Sequence, residues 1–190
     1  MNKTASLGCL AVALFLTSCL GQAPVARAEL TLVSNGKSDY VIVVRKDASP
    51  SEKFAAEELA SHIRQMSRAQ IPVRDDSSPL PAKAIVLGYG SATQSLGIEP
   101  DASLGDDGYI IRTAGNHLVI AGGARRGTLY GTYTFLESLG VRWWTPTETT
   151  IPSKPTITVP ETSIREVPVL EYRDMLFYES YNPASAIWFA

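Results

Sequence analysis

Beyond residue 28 the chain has no cysteine, because its only two, Cys9 and Cys19, fall before that point. The remainder therefore has neither a disulfide nor a thiol nucleophile, and packing alone must stabilise it. Histidine is as scarce: His62 and His117 are the only two, with no His-Glu-x-x-His run, so no metal site is expected. No Gly-x-Ser-x-Gly elbow offers a serine nucleophile. No Gly-x-Gly-x-x-Gly turn or phosphate loop offers a nucleotide site, and no cofactor is expected. No apolar run is long enough to span a bilayer. Setting aside Lys3 and Arg27, 15 basic residues stand against 19 acidic ones, a formal net charge of −4. No basic stripe or interleaved Arg–aromatic run occurs, which argues against a nucleic-acid partner.

What is present suits a soluble domain with one core: of 190 residues, 45% are hydrophobic and 19% charged. The first 28 residues stand apart. Lys3 precedes an apolar run from Leu7 to Leu20, and no acidic residue occurs before Glu29, the pattern of an export signal. Two processing readings compete. Ala26-Arg27-Ala28 is a small-x-small cleavage site that frees Glu29 in the periplasm or outside the cell. Leu16-Thr17-Ser18-Cys19 resembles a bacterial lipoprotein box, which makes Cys19 a lipidated first residue and is the one route to a membrane partner.

The body alternates strand and helix signals. Leu30 to Val33 and Tyr40 to Arg45 read as strands joined by turn residues Ser34 to Asp39, the second carrying the β-branched run of a buried strand. Ser49-Pro50 opens a helix with Ala55, Leu59, His62, Ile63 and Met66 on one face and Glu57, Glu58, Arg64 and Arg68 toward water. Short strands are expected at Ile71 to Arg74 and Ala84 to Leu87, then a short helix and loop from Ser91 to Leu104. Asp107 to Thr113 and His117 to Ala121 form a hairpin about Gly115-Asn116. This order predicts an α+β sandwich, a mixed sheet with two main helices on one face. Prolines 146, 152, 155, 160 and 168 then punctuate a segment whose only strand is Thr156 to Val159, expected at an edge and followed by a linker.

The most specific stretch is Gly122 to Pro146. A glycine pair ends a strand, a helix places Leu129, Thr132, Tyr133, Leu136 and Leu139 on one face, and Gly140 stops it. Within it, Arg-Gly-Thr-Leu-Tyr-Gly-x-Tyr-x-Phe-Leu-Glu-x-x-Gly-Val-Arg-Trp-Trp-x-Pro, from Arg126 to Pro146, resembles the N-terminal domain of family 67 α-glucuronidases. It also resembles the equivalent domain of family 20 β-hexosaminidases and of large bacterial exported proteins built like them. The likeness runs from about Leu30 to Arg173 and is specific only over that motif. It implies a small α/β domain ahead of a (β/α)8 catalytic barrel, with carbohydrate as the partner of the whole.

On this reading residues 1–28 are the leader, 29–160 the α/β domain, and 161–190 a linker and the start of the barrel. Val169 to Phe177 begins as a strand, Asn182-Pro183 opens a helix, and Ile187, Trp188 and Phe189 have nothing to pack on. That half βα unit is expected to be a second domain cut short, leaving the present chain without catalytic residues. The runner-up reading is a stand-alone exported carbohydrate-binding module or a structural scaffold.

Three substrate-binding candidates emerge. Gly122-Gly123 with Arg125 and Arg126 places amides and two cations at a helix start, an anion site fit for a uronate carboxylate; close strand–helix packing is the plainer alternative. Trp143-Trp144 is either a sugar-stacking platform or one core and one seam tryptophan. By resemblance to family 20, Arg173 is a sugar-hydroxyl ligand at a barrel strand end, although Asp174 follows where that family has glycine; an ion pair with Asp174 or Glu171 is the plainer alternative. The adjacent carboxylates Glu57-Glu58 and Asp106-Asp107 read as a helix exterior and a turn, not as a hydrolytic pair.

Overall fold

A computed structural model describes residues 29–123, 125–145 and 147–170. The elements in order are β1 (Glu29–Val33), β2 (Val41–Val44), α1 (Pro50–Ser67), β3 (Val73–Asp75), β4 (Ala84–Leu87), α2 (Ser91–Ser95), a 3₁₀ turn (Ala102–Leu104), β5 (Tyr109–Ala114), β6 (His117–Gly122), α3 (Gly127–Ser138), β7 (Arg142–Thr145), β8 (Glu148–Thr150), β9 (Ile157–Pro160) and β10 (Ser163–Glu166).

The main sheet has the order β10-β5-β6-β4-β2-β3. Strands β3, β2, β4 and β6 run parallel, while β5 and β10 are antiparallel additions. The sheet is therefore mixed, as the element order implies. Its central strands β2 and β4 are buried at every position, which is why their sequences, VIVV and AIVL, carry no polar alternation. One face presents Ile42, Val44, Ile85, Leu87, Leu118 and Ile120 to α1 and α3, which supply Leu59, Ile63, Leu129, Phe135 and Leu136. Both main helices thus lie on one face. The opposite face, from Val41, Val43, Val86 and Val119, is covered by Ala92 of α2 and by Ile98.

Local chemistry sets the helix ends. Ser49 and Glu52 form a reciprocal capping box at the start of α1: the Ser49 amide donates to Glu52 Oε2 at 2.8 Å and the Glu52 amide to Ser49 Oγ at 3.3 Å. The same Glu52 carboxylate accepts from Arg45 Nε at 3.3 Å and lies over Gly88, 2.3 Å from where a Cβ would sit. It thereby fills the crevice between the carboxyl ends of β2 and β4, where the connections diverge and open parallel sheets commonly hold ligands. Helix α3 ends at Leu139, and Gly140, at φ +99°, takes the left-handed position that stops it.

One strand pairing goes beyond the sequence expectations, and one expectation is corrected. Asn35 and Gly36, both at positive φ, make a tight turn bridged between Ser34 and Lys37, but the strands on either side of it do not pair. Strand β1 instead pairs antiparallel with β9. A bulge between Thr31 and Val33 turns both Leu32 and Val33 inward, and both are fully buried. The segment after Pro146 also holds three strands where one is expected. Besides β9, β8 closes a hairpin on β7, and Ser163–Glu166, expected in a linker, is the sheet edge β10.

Candidate functional site

The glycine-pair region is closed by its own chain. The loop of residues 105–108 crosses it, and the amides of Arg126 and Gly127 both donate to the Asp106 carbonyl at 3.1 Å. The Gly123 amide donates to Gly108 at 2.8 Å. Arg126 is forked onto Asp107, Nε to Oδ1 at 3.0 Å and Nη2 to Oδ2 at 3.1 Å, with its guanidinium over the Tyr130 ring. Arg125 is exposed, and its carbonyl accepts from Ser51 Oγ at 2.6 Å. The two arginines are thus separated in role: one ties the loop, the other faces solvent.

The tryptophans alternate across β7 as strand geometry requires. Trp144 is 63% exposed, its indole N–H donating to Thr150 Oγ1 at 3.0 Å. Trp143 turns inward, against Tyr133 with ring centroids 5.0 Å apart at 81° and against His62 at 5.5 Å and 62°. Arg173, Asp174, Cys19 and the leader lie outside the described residues.

Trp143 leads to a site the sequence reading passes over. Phe54, Glu58, His62 and Gln65 follow one another along α1, and with Tyr133 of α3 and Trp143, Thr149 and Ile151 of the hairpin they line an open cleft of about 490 Å³. It opens where α1, α3 and the β7–β8 hairpin meet. The Tyr133 hydroxyl donates to Glu58 Oε2 at 3.2 Å. His62 Nδ1 lies 2.9 Å from the Glu58 carbonyl. A carbonyl only accepts, so Nδ1 carries the hydrogen and Nε2 remains an acceptor. Burial first, and Glu58 second, push the Tyr133 phenol well above its ordinary value, so it stays a donor. Glu58 is the one carboxylate among these lining residues. Such a site can bind, but it lacks the second carboxyl group that glycoside hydrolysis commonly uses. Among the described residues no cluster of three or more His, Cys, Asp or Glu side chains could hold a metal, and no helix is long and apolar enough to cross a membrane.

The glycosyl hydrolase family 67 N-terminus matches residues 20–135. The chain belongs to that family. As a family 67 N-terminal domain it is 30% identical over 143 residues to α-glucuronidase A of Emericella nidulans, an alignment covering 66% of this chain and 17% of that protein. The chain thus spans less than a fifth of that relative's length. Its fold is shared with a family GH115 4-O-methyl-α-glucuronidase specific for decorated arabinogalactans (TM-score 0.58, 19% identity, 75% of this chain and 19% of that one). It is shared also with the GH20 β-N-acetylhexosaminidase of Streptomyces coelicolor A3(2) (TM-score 0.51, 17% identity, 77% and 25%). The protein is therefore related to glycoside hydrolases, and the family expected from the Arg126-to-Pro146 motif is the one found.

Within the family 67 N-terminal domain, the matched span carries strands β1 to β6 and α3 as far as Phe135. The α1 and Tyr133 walls of the cleft fall inside it, whereas Trp143, Thr149 and Ile151 come from the hairpin that follows.

Proposed function

We propose that this chain is the non-catalytic N-terminal domain of an exported glycoside hydrolase, serving as the foundation for a catalytic barrel in the same polypeptide. The observation that carries this reading is the family 67 N-terminal match, joined to the small share, 17%, that the chain takes of its α-glucuronidase relative. The cleft's single carboxylate supports the non-catalytic half of the reading. Export rests on the leader pattern, Lys3 followed by the apolar run to Leu20, with release after Ala28 or lipidation at Cys19. In the whole protein Arg173 and Asp174, within the strand signal of Val169 to Phe177, contact the sugar at the barrel mouth.

The test compares residues 1–190 with a form extended by whatever the gene encodes downstream. Both are assayed for release of sugar from α-glucuronosides and β-N-acetylhexosaminides. The extended form is expected to turn over one of these classes while 1–190 stays at the buffer rate. Turnover by 1–190 itself overturns the proposal.

A further inference from the structure

We propose that the cleft between α1, α3 and the β7–β8 hairpin is a binding site for a neutral saccharide, with Glu58 and the His62 imidazole accepting its hydroxyl hydrogens and Trp143 and Tyr133 flanking its ring. The choice of a sugar rests on the glycoside-hydrolase reading above; the site itself rests on the geometry.

Phe54, Tyr133 and Trp143 line the cleft and are only partly buried, each also packing on the main core. The steep interplanar angles, 81° for Tyr133 on Trp143 and 62° for His62 on Trp143, mean that the rings form a corner instead of stacking face to face. A stacked pair hides a face of each ring from a ligand; an edge-to-face pair hides a face of only one. Apolar ring faces suit the C–H groups of a pyranose. The volume of about 490 Å³ lies within the range usual for small-molecule sites.

The polar complement decides the ligand class. The Glu58 carboxyl group accepts one hydrogen bond from the Tyr133 hydroxyl and retains further acceptor capacity. His62 Nδ1 is spent on the Glu58 carbonyl, which leaves Nε2 as an acceptor. Gln65 and Thr149 add an amide and a hydroxyl at the margin. A site rich in acceptors calls for a ligand rich in O–H donors, which is a polyol. None of the lining residues is Lys or Arg, so a uronate carboxylate would face Glu58 with no countercharge. The site therefore takes the neutral part of a glycan and rejects its acidic part.

Two other clefts lack this combination. One, about 610 Å³, runs beside the open edge of β3, and the other, about 460 Å³, lies at the turn of residues 34–39; neither is lined by an aromatic side chain.

The test is a titration of the 1–190 chain with xylotriose, chitotriose and glucuronic acid, read by calorimetry and by tryptophan fluorescence in a Trp144→Phe, Trp188→Phe background, so that Trp143 alone reports. A neutral trisaccharide is expected to bind with a Kd of about 0.1–1 mM, and glucuronic acid at least tenfold more weakly. Glu58→Gln keeps the side-chain shape and should weaken the neutral ligand roughly tenfold, with thermal stability as the check on folding. Phe54→Ala, on the other wall, should weaken it severalfold. A flat titration up to about 10 mM of both neutral sugars overturns the proposal. So does equal or tighter binding of glucuronic acid, or affinity unchanged in both variants. Because the readout is binding, its failure leaves the hydrolysis comparison of the extended form untouched, and the two readings fall separately.

Discussion

Alanine at Gly123 gives the sharpest check on how the motif region is held. The ideal Cβ of residue 123 would stand 2.0 Å from the Gly105 carbonyl oxygen, 2.6 Å from the Asp106 carbonyl carbon and 2.7 Å from its oxygen. All three are backbone atoms, so no flexible side-chain tip can swing aside. Opening the shortest contact to 3.0 Å requires the loop to retreat by about 1 Å. That retreat strains the two 3.1 Å bonds that Arg126 and Gly127 donate to Asp106. Overpacking costs about 1–3 kcal/mol and the two weakened hydrogen bonds about 1 kcal/mol each, while the stiffer unfolded chain returns about 0.4–1 kcal/mol. The expected net loss is about 2–4 kcal/mol. In urea, followed by tryptophan fluorescence, that is a midpoint shift of about 1–2 M at unchanged slope. Gly97→Ala is the comparison. No atom lies within 4 Å of its Cβ, but its φ is +69°, so it should lose about 1–2 kcal/mol from backbone conformation alone. A Gly123→Ala protein within about 0.5 kcal/mol of the parent would refute the packing account of the glycine pair.

Three further outcomes follow from the same structure. Ser49→Ala removes one half of the α1 capping box and should cost about 1 kcal/mol; Glu52→Ala removes the other half and the Arg45 pair and should cost about 2 kcal/mol, both read by thermal or urea unfolding. His117 has a buried Nδ1 without a hydrogen-bond partner, and burial lowers its pKa below the ordinary 6.5. The unfolded chain therefore binds the extra proton first, so this contribution to stability is complete above pH 6.5 and is lost as pH falls through the folded-state value. Urea midpoints at about pH 7.5 and 5.5 should differ less in His117→Gln than in the parent. Arg126→Lys keeps the charge but cannot reproduce the fork onto Asp107, and should lose about 1 kcal/mol in the same assay.

Much of the central fold is written in local patterns. The run Val41-Ile42-Val43-Val44, the 3.6-residue faces of both main helices and the Gly115-Asn116 turn each carry enough signal to place an element without tertiary information. The strands that escaped, β8 and β10, are short and form only by pairing: β8 closes on β7, and β10 needs the distant β5; the union of β1 with β9 is equally invisible in either strand alone. The cleft escaped for a similar reason. Helical periodicity places Glu58 beside the solvent face of α1, and on that helix alone it is an exterior residue. Only the crossing of α3, which brings Tyr133, and the β7–β8 hairpin, which brings Trp143, turn it into part of a wall. For the tryptophan pair, alternation along a strand did foretell that one ring turns inward and one outward.

The antiparallel union of β1 with β9 has a consequence for the order in which the chain matures. Leu30 lies opposite Val159, 129 residues further along. At a synthesis rate of about 5–20 residues per second, Leu30, Leu32 and Val33 stay without their permanent cover for about 6–26 seconds after they are made. Throughout that interval the parallel sheet can assemble but this part of the core stays wet. Whatever attends the newborn polypeptide must shield this greasy ribbon until the far end of the domain arrives to close the seam.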